Sequence, residues 1–356
     1  MSASTRTDLG GGGWLIDDTL VRLRVWGTDR SYPVPTDPDA QLTIGSSDTC
    51  TLQLTDPNGW LSRQHARLER ENTYWIARDL NSKNGLHLDG VRRPKVLLGP
   101  GAELGLGGIT LVAESPRLIA LRAYLARLLG WAPERSETVD LAVRAVRLAA
   151  TRRAALTLCG DGDLVPIARG LHRYTLGDDR PFILCDPRRK TGDVLDLPNH
   201  RTGLHALRAA DGGSMVVFPK RLPADYHDVI SALRAARTRV QLIAVGPRLP
   251  ARATPVSASI DVPQLSTRPT ELARIIDEYA RDAADSLGVS APFPLIDHAW
   301  VHAHSADSLV EIERGTSRLI ALRAAGNITR AAALLGLAHA SLGEWMSRRR
   351  MPAGIK

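Results

Sequence analysis

Apolar and polar positions change their rhythm twice along this chain. Over the first third, short alternating runs at 21–26, 41–44, 51–54, 66–69, 75–79, 86–88 and 109–112 are separated by Gly, Pro, Asn and Asp. Alternation sends every second side chain to one face, so this third is predicted to be an all-β sandwich. After Ser115-Pro116 the period becomes helical, at 118–129 and 139–149. From near Pro133 to about 250, apolar runs at 155–159, 182–185, 214–218 and 240–245 alternate with helical segments, which predicts a parallel α/β core. The stretch 247–263 is rich in Pro, Ala and Ser and reads as a loop. The final third is helical, with helices predicted at 270–287, 295–304, 309–325, 329–335 and 339–349. A Ser/Thr/Gly-rich start, 1–19, reads as flexible, and 115–134 as a helical linker. The fold class is therefore multidomain, from β through α/β to all-α.

Composition sharpens this picture in three places. At 356 residues, two or three domains can each bury a core without staples. Cys50, Cys159 and Cys185 are widely spaced and stand beside no histidine cluster, so neither a disulfide framework nor a zinc site is expected, and no metal or cofactor is called for. No run of 18 apolar residues occurs and the N-terminus has no apolar signal core, so a cytoplasmic chain with no membrane partner is expected. The net charge of +8 comes from 41 arginines against five lysines; it permits a polyanionic partner without establishing one.

Candidate chemistry concentrates in Leu-Ser-Arg-Gln-His (61–65) and Asp-Leu-Asn-Ser-Lys-Asn-Gly-Leu-His-Leu-Asp-Gly (79–90). A phosphate held at the loop end of a sandwich needs hydroxyl, N–H and cationic donors converging on its oxygens. Ser62, Arg63, Lys83 and Asn84 are donors of that kind. Asn84-Gly85 and Asp89-Gly90 also suit ordinary hairpin turns, and His65 an ordinary core position. The order of these motifs over 20–114 resembles a forkhead-associated (FHA) domain, a β-sandwich that recognises phosphothreonine. The resemblance implies that Ser62 donates to the phosphate, Asn84 holds the main chain of the bound peptide and His65 braces the loop from behind. Lys83 stands where the family usually has a small hydroxyl residue, and can act as a point charge. The departure is Ser46, where the family pattern is Gly-Arg. Losing that charge-assisted hydrogen bond costs about 1.5–3 kcal/mol, or about one to two decades of affinity. Two readings stay open: Lys83 and Arg63 compensate, or the partner is unphosphorylated. The implied partner is a phosphothreonine-containing protein, a Ser/Thr kinase or its substrate.

The segment 135–305 resembles the AAA+ domain of bacterial sigma-54-dependent activators, with an α/β part at 135–263 and a helical lid at 264–305. The resemblance rests on 155–172 with Arg180-Pro181-Phe182, on 209–218 with Leu222-Pro223, on the run 240–245 and on 262–268, four pieces in the family's order. A phosphate loop needs Gly-x-x-x-x-Gly-Lys-Ser/Thr, so that bare N–H groups and a lysine hold the phosphates. This chain offers Gly160-Asp161-Gly162-Asp163-Leu164-Val165, a shortened loop with two carboxylates and no lysine. Where acidic residues should end the Walker B strand, Phe218-Pro219-Lys220 stands instead. The family's sigma-gripping insertion and arginine-finger stretch are also missing. The expectation is a catalytically dead body with a degenerate phosphate loop at Gly160 and Gly162.

The end of the chain, 306–356, resembles the Fis-type helix-turn-helix that closes the same activators. Ala331 and Ala332 supply the small surface for a close helix crossing, and Gly336 the permissive turn. Leu342, Trp345 and Met346 fall on one face. That leaves His339, Ala340, Ser341, Glu344 and Arg348 outward, with Arg349 and Arg350 as further phosphate contacts, so double-stranded DNA is the implied partner. A helical hairpin that packs on the lid or dimerises, giving a homo-oligomer, is the alternative. The expectation for the whole chain is a cytoplasmic bacterial transcriptional regulator that reads a phosphothreonine signal and binds DNA. The alternative is a phosphopeptide-binding adaptor that does not bind DNA.

Overall fold

The structure, a computed structural model, describes residues 19–37, 39–72, 74–189, 197–235, 238–247 and 258–355. The stretch read as a flexible N-terminus lies outside them except for Thr19.

The first third forms β1 (Arg22–Val25), β2 (Ser31–Pro33), β3 (Leu42–Gly45), β4 (Leu52–Gln53), β5 (Ala66–Glu71), β6 (Tyr74–Asp79), β7 (Leu86–Leu88), β8 (Val91–Arg93), β9 (Lys95–Leu98), β10 (Glu103–Leu106) and β11 (Ile109–Glu114). They make two sheets, in the orders β2-β1-β11-β10-β7-β8 and β4-β3-β5-β6-β9. The inward positions Leu23, Ile44, Leu68, Leu86, Leu104 and Leu111 meet in one apolar cluster and are almost wholly inaccessible. Asp89 and Gly90, with φ of 48° and 83°, close the two-residue hairpin between β7 and β8. Four strands fall outside the expected set. β8 is exposed at every position and so carries no alternation to read, and β2 ends on a proline at a sheet edge. β9 and β10 do alternate, but over only four residues each.

The middle of the chain contains α1 (Pro116–Leu129), α2 (Ser136–Arg152), β12 (Leu156–Cys159), α3 (Val165–Thr175), β13 (Phe182–Cys185), β14 (Asn199–His200), α4 (Gly203–Ala209), β15 (Ser214–Val217), α5 (Tyr226–Leu233), β16 (Gln241–Gly246) and β17 (Ala258–Asp261). A six-stranded parallel sheet runs in the order β14-β13-β15-β16-β12-β17. β12, β13 and β15 are buried at every position, which is why they appear in the sequence as unbroken apolar runs. β17 corrects the loop expectation at 258–261. It pairs in parallel with β12, but only Ile260 is buried in it, so no apolar run announced it.

The last third is α6 (Leu272–Leu287), α7 (Leu295–His304), α8 (Leu309–Ala325), α9 (Ile328–Leu334) and α10 (His339–Ser347). One apolar cluster extends from Val112 on β11 through α1, α2 and the parallel sheet to Leu342 and Trp345 on α10. The segment read as a linker is therefore no spacer: Leu118, Leu121, Leu125 and Leu128 of α1 are buried within that cluster.

A polar weld reinforces the junction between sandwich and body. Arg24, 2% exposed, donates to Glu114 Oε1 at 2.7 Å and to both oxygens of Asp140 on α2 at 2.9 and 2.7 Å. Asp140 also accepts from the Gly27 amide at 2.7 Å and from Arg122 at 3.0 Å. Burial alone would lower the Arg24 pKa, but hydrogen bonds and attraction from Asp140 and Glu114 outweigh it and raise it.

Candidate functional site

Ser46, Ser62, Arg63, Lys83 and Asn84, the five residues expected to meet a phosphate, come from three loops at one end of the sandwich. Gly45 ends β3 against the next loop so closely that a Cβ there would lie 2.1 Å from the Arg63 carbonyl oxygen. That approach lets the Ser46 and Ser47 amides donate to the Ser62 and Arg63 carbonyls at 3.1 and 3.0 Å. The Lys83 amide then donates to the Ser62 hydroxyl at 3.0 Å, joining the third loop. With a lone pair of that oxygen occupied, the hydroxyl proton is left to donate, and it meets no acceptor among the described residues. Ser62 and Asn84 are half-buried, while Ser46, Arg63 and Lys83 are exposed. Neither the Lys83 ammonium nor the Arg63 guanidinium is ion-paired among the described residues.

His65 is fully buried behind this cluster. Its Nδ1 accepts from the Ser62 amide at 3.1 Å, which fixes the proton on Nε2, facing the Gly85 carbonyl oxygen at 3.1 Å. One ring thus ties the Ser62 loop to the Asn84 loop. The bracing role and the core role are the same role.

Two bracing groups were missed in the sequence. Ser82 is buried; its hydroxyl donates to Asp79 at 2.5 Å and accepts from the Gly85 amide at 2.9 Å, closing the loop that presents Lys83 and Asn84. Asp56 accepts from the amides of Asn58, Trp60, Leu61 and Gly108 at 2.9 to 3.1 Å. Desolvation pushes its carboxyl up, and these backbone donors outweigh that and hold it below the usual carboxylate range. The Asp56-Pro57-Asn58-Gly59 turn signature was the signal available for it. Asn84 donates through Nδ2 to the Trp60 carbonyl at 2.7 Å, leaving its carbonyl oxygen and second N–H for another partner.

At the far end of the chain, α9 begins at the Asn327 cap and α10 follows a turn at Gly336, whose φ is 63°. Ala331, Ala332, Leu342 and Trp345 are buried, and His339, Ala340, Ser341, Glu344 and Arg348 form the exposed face. Arg349 departs from the expected outward set. It is half-buried, with its guanidinium 5.1 Å from the Trp345 ring centre and an N–H donated to the Trp345 carbonyl at 3.3 Å. Glu344 is ion-paired with Arg348 one turn along. Trp345 also packs on Trp300 of α7 at 5.5 Å, and Trp300 donates to the Arg350 carbonyl at 2.6 Å.

The loop holding Gly160 and Gly162 lies between β12 and α3. Asp161 accepts from Gln264 at 2.5 Å. Asp163 takes the Val165 amide at 3.1 Å and pairs with Arg314 of α8 at 3.1 Å. A cavity of about 450 Å³ opens beside this loop, between Val262, Leu272 and Val310. Among the described residues no group of three His, Cys, Asp or Glu side chains could hold a metal ion, and no helix is long and apolar enough to cross a membrane.

Comparison with known proteins bears on the sandwich alone. The FHA domain family matches residues 42–107. No curated protein matches the chain. A domain solved in an analysis of phosphothreonine-dependent FHA interactions is 24% identical, with a TM-score of 0.24, over 27% of this chain and 96% of that one. Mycobacterium tuberculosis EmbR, solved with a low-affinity phosphopeptide, is 25% identical, with a TM-score of 0.25, over 27% of this chain and 24% of its own. An FHA domain from Chlamydia trachomatis is 22% identical, with a TM-score of 0.24, over 27% of this chain and 97% of that one. The matched span contains Ser46, Ser62, Arg63, Lys83 and Asn84, and the chain thus carries an FHA domain.

Proposed function

We propose that this chain is a cytoplasmic bacterial regulator that docks on a phosphothreonine-containing protein through its FHA domain and holds double-stranded DNA through α9 and α10, with the α/β body as a rigid, non-hydrolysing frame. The observation that carries the first half is the hydrogen bond from the Lys83 amide to the Ser62 hydroxyl. It leaves one hydroxyl proton on the loop that meets Lys83, whose ammonium is unpaired among the described residues, and hydroxyl and cationic donors are what a dianionic phosphate requires. A phosphothreonine peptide titrated against the wild type, Ser62→Ala and Lys83→Ala tests it: each variant is expected to bind roughly tenfold more weakly. Equal wild-type affinity for phosphorylated and plain peptides would sink the reading.

ATP hydrolysis has no place in this proposal. Asp161 and Asp163 put two carboxylates on the loop that the AAA+ resemblance assigns to a triphosphate, and Arg314 is already paired to Asp163. Titration with ATP and magnesium is expected to give no saturable hydrolysis; activity abolished by substitutions at Gly160 and Gly162 would overturn that.

One observation favours the second reading, an adaptor that does not bind DNA. The Glu344–Arg348 pair neutralises part of the outward face of α10, and Arg349 is turned inward over Trp345. Gel shifts that find no preferred DNA, alongside retained phosphopeptide binding, would select the adaptor.

A further inference from the structure

We propose that the cavity enclosed by α1, α3, α6 and α8 is a binding site for a small molecule that carries a phosphate or carboxylate at one end and N–H donors at the other. The cavity measures about 620 Å³, a size in the range of small-molecule sites, about 300–1,000 Å³. It runs along α3 from Pro166 to Arg173, whereas the cavity beside the Gly160 loop meets that helix at Ile167. α1 leaves the sandwich and α8 leads into α9, so a molecule held here touches both.

The walls of the cavity are fixed. Tyr124 of α1 and Tyr279 of α6 are buried. The Tyr124 hydroxyl donates to the Ile167 carbonyl at 3.2 Å and lies so close to α3 that a Cβ on Gly170 would stand 2.2 Å from its oxygen. Arg127 lies 4.6 Å from the centre of the Tyr279 ring and is committed to Glu278 and Asp282, at 3.1 and 2.5 Å. Arg314 is committed to Asp163 and Glu311, at 3.1 and 2.8 Å.

The charges that remain along the lining are Arg169, Arg173, Asp178 and Glu313, all exposed to solvent and none ion-paired among the described residues. Arg169 and Arg173 stand one turn apart on α3 and share a face of that helix. Glu313 belongs to α8. Protein crowds its carboxyl enough to lift it above the usual carboxylate range, against the attraction of Arg173 and, less strongly, Arg127. Arg173 thus acts on Glu313 without touching it, as two charges do across a gap. Two free guanidinium groups and a free carboxylate on opposite walls ask for their complements in one molecule: an anionic group for Arg169 and Arg173, and N–H donors for Glu313.

Calorimetric titration of the full-length protein with the ribonucleoside monophosphates, the standard amino acids and inorganic phosphate tests the proposal, with wild type, Arg169→Ala and Glu313→Gln compared. Both side chains are exposed and unpaired, so each variant should unfold at the wild-type temperature when no ligand is present. Saturable binding of a nucleotide or of an amino acid is expected, and which of the two binds names the source of the anionic group. Each variant should bind that probe about tenfold more weakly, Arg169→Ala through the anionic end and Glu313→Gln through the donor end. Inorganic phosphate, which cannot span from the arginines to Glu313, should also bind about tenfold more weakly than the best probe. Saturable binding by no probe, undiminished binding by either variant, or phosphate binding as tight as the best organic probe would each overturn the proposal.

Discussion

At the scale of single residues, the site is a set of polar atoms each given one task. The Ser62 oxygen accepts from Lys83, so its proton is free to donate. His65 accepts on one nitrogen and donates from the other, so its ring direction is fixed without a charge. Ser46 is where the set is thin. It is exposed, and its amide already anchors the loop through the Ser62 carbonyl, so a longer side chain can be added without disturbing the backbone. Ser46→Arg is expected to tighten phosphothreonine-peptide binding by about one decade, through a charge-assisted hydrogen bond of about 1.5 kcal/mol or more. Calorimetric titration showing no gain would mean that Lys83 and Arg63 already supply the cationic contact. That Ser62, Arg63, Lys83 and Asn84 lie in the loops of an FHA domain was legible in the sequence, because the order of their motifs carries the fold. The bracing by Asp56 and Ser82 was not, because it comes from amides and a carboxylate that only the folded chain brings within reach.

At the scale of elements, alternation and apolar runs revealed the strands that bury a face and concealed those that do not. β12, β13 and β15 were readable because both faces of the parallel sheet are covered. β8 and β17 lie at sheet edges, with too few inward side chains to leave a pattern. α10 was readable because Leu342 and Trp345 mark its buried face, and the exposed set followed from helical spacing. What spacing could not give was the state of that exposed set: Arg348 is engaged by Glu344, and Arg349 lies over an indole. Glu344→Ala frees Arg348 for a phosphate without touching the buried face. If α10 meets DNA, this change should strengthen gel-shift binding and steepen the dependence of log affinity on log salt by about 0.9. An unchanged slope would place Arg348 away from the backbone.

At the scale of the molecule, α1 and the Arg24–Asp140 weld join the FHA domain to the body. A helical segment following Ser-Pro looks the same in sequence whether it spaces two domains or packs between them, so this junction was not legible. Its energetics are asymmetric, because removing one partner of a buried, hydrogen-bonded ionic group strands the others. Arg24→Ala removes the cation that Glu114 and Asp140 share and leaves each with one arginine, Arg22 and Arg122, so the cost is expected at the lower end of the range for breaking a buried pair, about 3 kcal/mol. Chemical denaturation of the wild type should give one transition for sandwich and body; the variant should unfold earlier, with the sandwich separating from the rest. A variant as stable as the wild type would show the weld to be energetically idle.

The weld also sets a distance. A reader on a slack tether explores a volume, and the local concentration of its second binding surface falls as the tether lengthens. Here, among the described residues, one continuous apolar cluster joins the end of β11 to α10. Two ligands held at once on such a frame would be presented at a single spacing. Under the proposed function the chain would work as a gauge: a phosphorylated protein and a second surface of the right separation would gain from each other's binding, and a pair at any other separation would gain nothing.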